Sequence, residues 1–96
     1  MKRSQTLSVG QLLDEFFHRP YVAARVAEGR LPDTWREIVG PQAAAETTEL
    51  RLTNRILHVR IRSGILRSEL FYQREALCAE INRRSGIRIV HAVIIR

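Results

Sequence analysis

Polar and apolar positions alternate most cleanly between residues 48 and 62. Thr48, Leu50 and Leu52 interleave with Glu49, Arg51 and Thr53, and beyond Asn54-Arg55 the residues Leu57, Val59 and Ile61 interleave with His58, Arg60 and Arg62. A period of two in adjacent runs predicts an antiparallel hairpin with one apolar and one solvated face. Ser63-Gly64 opens a segment predicted as one long helix to Arg84, closed by Gly86. On that helix Leu66, Leu70, Leu77 and Ile81 share a stripe at about 100° per residue, flanked by Phe71 and Cys78. Arg74 falls on the same side. Either its stem packs and its guanidinium snorkels to water, or it reaches a rim where it meets an anion or a partner carboxylate.

A strand-like run from Ile87 to Ile95 follows, with Ile87, Ile89, Val93 and Ile95 on one face and Val90, Ala92 and Ile94 on the other. It must pair beside one hairpin strand and leave its outer edge free, an aggregation hazard unless something covers it. The N-terminal helices are the expected cover; a partner protein or a second copy is the alternative.

Those helices are read from breaks and caps. Ser8 with Gln11 forms a capping-box pattern, with Leu7 and Leu12 placed as a staple. Leu12, Leu13, Phe16 and Phe17 then fall at helical spacing. Pro20 opens a second helix ended by Gly29, and Leu31-Pro32-Asp33 opens a third carrying Trp35, Ile38 and Val39. Gly40-Pro41 stops it, and Pro41 is placed to start one more turn through Ala43, Ala44 and Ala45. The predicted class is α+β, one domain over 1–96: a helical extension at 1–30, then a unit at 31–96 with a β-β-α-β, three-stranded core.

Composition narrows the classes. Ninety-six residues at 45% hydrophobic content suit one folded domain rather than a disordered chain. No apolar run approaches the ~20 residues that span a bilayer. The basic start, Met1 to Thr6, leads into an amphipathic helix where a signal peptide needs an unbroken apolar run. Cys78 stands alone, which suits a reducing cytoplasm. The chain is expected to be cytoplasmic, with no membrane partner and no cofactor.

Charge changes the picture more by place than by total. Residues 1–50 carry six Lys/Arg against seven Asp/Glu, while residues 51–96 carry ten Arg against three Glu, out of a net +6. That asymmetry points the C-terminal half at an anionic partner, nucleic acid being the usual one. All but one of the basic residues are arginine. Arginine grips phosphate and carboxylate alike, so an acidic protein surface stays open, as does a merely solvated sheet face. Arg51, Arg60 and Arg62 share the predicted outward face, with Arg60 and Arg62 ~7 Å apart along the strand. Nothing there reads bases, so binding to single strands is expected to be sequence-tolerant. Arg83 and Arg84 complement a helix dipole and are not counted as binding residues.

Catalytic patterns are missing: no Gly-x-Ser-x-Gly, no phosphate-binding glycine loop, no His-Glu-x-x-His, and no metal-ligand spacing among His18, His58, His91 and Cys78. The expectation is a non-enzyme. Trp35 is either a core residue or a partly exposed hot spot for a protein partner, a use for which Trp is enriched.

Trp35-Arg36-Glu37-Ile38-Val39-Gly40 begins a wider likeness. It is followed by the small-residue turn Ala43-Ala44-Ala45, the Leu57–Ile61 strand, Ser63, Leu66-Arg67-Ser68-Glu69-Leu70, and Ile81-Asn82 ahead of a glycine. In order and spacing, from Leu31 onward, these blocks resemble the DciA-like bacterial proteins, long filed as a domain of unknown function. The resemblance implies a KH-like fold and an adaptor beside the replicative DNA helicase, binding it, assisting its loading and touching single-stranded DNA. The chain lacks the Gly-x-x-Gly loop with which KH domains grip nucleic acid, so another face would have to do so. A general RNA-binding KH-like module and a purely protein-binding or homodimerising domain are the alternatives.

Overall fold

In the computed structural model, which describes residues 8–96, three helices precede the sheet: α1 (Val9–Phe17), α2 (Pro20–Gly29) and α3 (Leu31–Ala45). The hairpin β1 (Thr47–Thr53) and β2 (Ile56–Ile61) leads to α4 (Gly64–Tyr72), α5 (Arg74–Ser85) and β3 (Ala92–Ile95). The α+β expectation holds. Ser8 and Gln11 form the full capping box on α1, and Ser63 Oγ accepts from the Leu66 N–H at the start of α4. Leu7 of the expected staple and the basic start lie outside the described residues. Gly40 breaks α3 at φ 91°, ψ 164°, a conformation open to glycine, and Pro41 restarts the helical turns behind it.

The strands order β1-β2-β3, with β1–β2 antiparallel and β2–β3 parallel. The hairpin turn has positive φ at both central residues, 52° at Asn54 and 65° at Arg55. This is the pair of left-handed residues that a two-residue hairpin requires. Asparagine tolerates it; arginine there costs on the order of 1 kcal/mol. Two hydrogen bonds offset that strain: Arg55 Nη2 donates to the Arg88 carbonyl at 2.9 Å, and the His91 N–H donates to the Arg55 carbonyl at 2.6 Å. A bulge at Thr48 shifts the register between Thr47 and Glu49. The alternation therefore slips by one residue. Thr48, expected on the apolar face, is exposed, and Thr47 points inward in its place.

Leu57, Val59, Ile61, Val93 and Ile95 line the inner face of the sheet, against Trp35 of α3, Leu70 of α4, and Leu77 and Ile81 of α5. The predicted helical stripe is thus correct, but the helix is not one. At Gln73 (φ −103°, ψ 11°) the chain leaves the helical path, splitting α4 from α5. Phe71, expected beside the stripe, turns out to be 43% exposed as a result.

The last strand is also shorter than its pattern. Only Ala92–Ile95 pairs with β2, because Asn82 holds the preceding segment. Its Oδ1 accepts from the N–H groups of Ile89 and Val90, both at 3.0 Å, and its Nδ2 donates to the Val90 carbonyl at 2.9 Å. Ile89 and Val90 are both buried, which two consecutive residues of a regular strand cannot be on one face. The cover over β3 comes from α4 and α5 rather than from the N-terminal helices. A four-residue edge under two helices no longer invites pairing.

Candidate nucleic-acid and partner surfaces

The outer face of the sheet collects the arginines. Register sets Glu49 opposite Arg60 and Arg51 opposite His58. Glu49 sits between two of them: Arg51 Nε donates to it at 3.0 Å and Arg60 Nε at 3.4 Å. Arg51 also donates to Thr53 Oγ1 at 2.8 Å. The Arg51 guanidinium, then that of Arg60, holds the Glu49 carboxyl below its ordinary value. Each guanidinium has five donors, so most remain available to a second acceptor. Arg62 closes the row one step beyond β2, reaching Glu46 at 3.4 Å and the Ala45 carbonyl at 3.3 Å. The three arginines are therefore all on the surface, but each is tethered to a carboxylate.

Parallel pairing adds a residue that alternation alone does not mark. The Arg96 N–H donates to the Val59 carbonyl and the Ile61 N–H to the Arg96 carbonyl, at 2.8 and 2.7 Å. That zips the end of β3 onto the end of β2 and seats Arg96 in a shallow hollow with Glu49, Arg51, His58 and Arg60. Three guanidiniums against one carboxylate leave the hollow positive, as a backbone phosphate requires. His58 Nδ1 is enclosed there without a hydrogen-bond partner.

On the helical side, Trp35 is 2% exposed, and its indole N–H donates to Thr47 Oγ1 at 3.0 Å. The ring fills the core, so the exposed hot-spot role considered for it is replaced by a structural one. Arg74 opens α5 and closes the break: its Nη1 donates to the Phe71 carbonyl at 2.7 Å and its guanidinium stacks 4.0 Å above the Phe71 ring. Beside it Phe71 and Tyr72, with ring centroids 5.8 Å apart, are 43 and 82% exposed. Aromatic residues joined to an arginine are the composition that protein interfaces favour.

Glu80 is bound by Arg83 at 2.6 Å and Arg84 at 2.7 Å, and the Arg84 guanidinium also reaches Glu37 of α3 at 3.6 Å. Those arginines tie the end of α5 to its own turn and to α3. Arg83, and next Arg84, pulls the Glu80 carboxyl down to about 2 from an ordinary 4.5. A depressed carboxylate stabilises the folded form above its unfolded value and loses that effect as pH falls through the folded one. The melting temperatures of wild type and Glu80→Gln should therefore differ at pH 6, converge below about pH 4.5 and coincide near pH 2. The gap is small, as for any surface pair. A constant gap across a pH series of thermal melts would assign the effect of the substitution to packing instead.

These residues make a small basic α+β domain, with an arginine-studded sheet face and an aromatic corner on the helical side. No group of His, Cys, Asp or Glu among the described residues could hold a metal ion, and no helix among them is long and apolar enough to cross a membrane. The chain belongs to the DciA family, described as "Dna[CI] antecedent, DciA", which it matches over residues 8–95. Membership places it among proteins associated with the loading of the replicative DNA helicase. No curated protein and no solved structure matches the chain.

Proposed function

We propose that this chain is a non-enzymatic bacterial adaptor of the cytoplasm that binds the replicative helicase directly while its outer sheet face holds single-stranded DNA. The family match over residues 8–95 carries the helicase half of that reading. An adaptor needs two surfaces that do not overlap. The hollow of Arg51, Arg60 and Arg96, extended by Arg62, supplies one. The corner of Phe71, Tyr72 and Arg74 lies on the helical side and supplies the other, with Arg74 able to turn to a partner carboxylate. Purified helicase from the same organism, mixed with the protein without nucleic acid and followed by calorimetry, should bind at tens of micromolar or better. Phe71→Ser with Arg74→Gln should weaken that binding in a protein that still melts normally. An absence of any heat at those concentrations would sink the helicase reading.

The sheet face has its own test. Arg51→Gln with Arg60→Gln should lower affinity for a labelled single-stranded oligonucleotide. The double substitution should also flatten the log–log salt dependence by roughly 0.7 for each phosphate no longer neutralised. Glu49→Gln should act in the opposite direction, since it removes the carboxylate against which a phosphate must compete for the same two arginines. If Glu49→Gln and the double arginine variant both bind as wild type does, the sheet face is not the site. Running the same titration with RNA of matching sequence settles whether the 2′-hydroxyl matters.

A further inference from the structure

One helix has no place in either surface. α1 leaves Val9, Leu12 and Leu13 exposed to 74, 51 and 52%. At nine residues it is shorter than the ~12–15 that hold a helix together alone, so an apolar stripe on it calls for a surface to lie on. Its joint to α2 is stiff. Arg19 is extended at φ −66°, ψ 139°, the conformation imposed on a residue before proline. The direction in which α1 leaves α2 is thereby set by the backbone, and the molecule is drawn out to 62 Å against 23 and 18 Å in the other directions.

The same chain offers a matching surface. A groove of about 530 Å³ runs between α2, α3 and the turn after α5, with Val26, Ala27 and Ile87 along it and Arg30, Arg84 and Glu37 among its polar lining. Val26 is 44% exposed on it. α1 carries Asp14 and Glu15 and no basic residue. Asp14 lies 3.5 Å from His18 and Arg84 is already paired with Glu37 and Glu80, which leaves Arg30 to meet Glu15. A helix with an apolar stripe and Glu15 beside it thus matches an apolar groove with Arg30 at its edge.

We propose that the occupant of the groove is α1 of a second copy, exchanged reciprocally about a two-fold axis so that each chain lays Val9, Leu12 and Leu13 against its partner's Val26. Reciprocity forms the contact twice, as closed two-fold assemblies do. Each stripe offers roughly 300 Å² of apolar surface. Two stripes with the grooves they cover come to on the order of 1,200 Å², the lower end of what a specific interface buries. The dimer is accordingly weak and concentration-dependent.

Sedimentation velocity of the full chain over roughly 1–200 μM, the range in which an interface of this size assembles, tests it. The expected result is a reversible monomer–dimer equilibrium in wild type. Leu12→Asp with Leu13→Asp should be monomeric, and so should Val26→Asp. In the single chain all three substituted side chains lie substantially in water, so at low micromolar concentration, where wild type is monomeric too, the circular dichroism and melting curve should match. With Cys78→Ser in the background, a chain bearing Leu13→Cys and another bearing Val26→Cys should join through a disulfide only when mixed. A wild type that stays monomeric at the highest concentration overturns the proposal. A dimer that survives Leu12→Asp with Leu13→Asp does so too, since its interface is then elsewhere. An internal disulfide in a monomer carrying both cysteines shows α1 closing on its own chain, and excludes the exchange.

Discussion

Trp35→Ala is expected to remove about 3–5 kcal/mol of stability, as large aromatic deletions from a core do. A domain of this length holds about 5–15 kcal/mol in all, so much of the variant should be unfolded near body temperature. The indole is 2% exposed and packs where α3, the sheet and α5 meet. Its loss also breaks a relay. The indole N–H donates to Thr47 Oγ1 at 3.0 Å, and that hydroxyl donates onward to the Ala43 carbonyl at 2.9 Å. The relay ties the end of α3 to the first residue of β1, next to the bulge that resets the register. Trp35→Phe keeps most of the volume but loses the N–H and part of the ring, so it should cost about 1–3 kcal/mol. Urea unfolding of the three proteins measures both differences. An alanine variant that unfolds at the wild-type midpoint would show that the ring is not in the core.

Asn82→Leu should cost about 2–4 kcal/mol, since it orphans two backbone N–H groups at a half-buried site and leaves the Val90 carbonyl only the Cys78 thiol, at 3.4 Å. Asn82 serves both sides of the amide, accepting at Ile89 and Val90 and donating to Val90. Asn82→Asp keeps the acceptor and sets a carboxylate against the Val90 carbonyl, so it should fall between wild type and Asn82→Leu. Hydrogen exchange gives the sharper readout. The Ile89 and Val90 amides should lose protection first, and the Arg96 amide should follow as β3 loosens. Uniform loss across the whole sheet would mean that Asn82 stabilises the fold as a whole and does not act on this segment in particular.

Much of the architecture was readable because it rests on neighbours in sequence. The capping residues Ser8 and Ser63, the Gly40-Pro41 break, the two-residue turn at Asn54-Arg55 and the glycine stop at Gly86 each depend on a few adjacent residues. What the pattern missed comes from farther off. No glycine or proline marks Gln73, and the stripe of Leu66, Leu70, Leu77 and Ile81 continues across the break, so periodicity alone reads one helix. The final strand was shortened by a side chain that reaches it from α5. The outward arginines were placed on one face by alternation. The tether of Arg51 and Arg60 to Glu49 depends on the same alternation plus a cross-strand register that the turn fixes. Arg96 joined them only because β3 lies parallel to β2, a pairing that depends on the route of the intervening helices rather than on any residue near Arg96. Trp35 was legible as a helix residue, while the choice between core and surface needed the packing of α5.

The parallel pairing of β2 with β3 also orders events in time. A hairpin closes in microseconds because its strands are two residues apart, whereas β3 reaches its slot only after thirty intervening residues, Arg62 to His91, have been threaded through two helices. Until then one side of β2, the central strand, presents bare N–H and carbonyl groups along Leu57, Val59 and Ile61. Late closure of a long loop slows folding and leaves that edge open to strands of other chains. Arg60 stands between Val59 and Ile61 and projects from the outer face beside that edge, where it meets a second nascent chain as a like charge. Charge beside the open strand therefore disfavours misassembly while the slowest part of the chain comes into place.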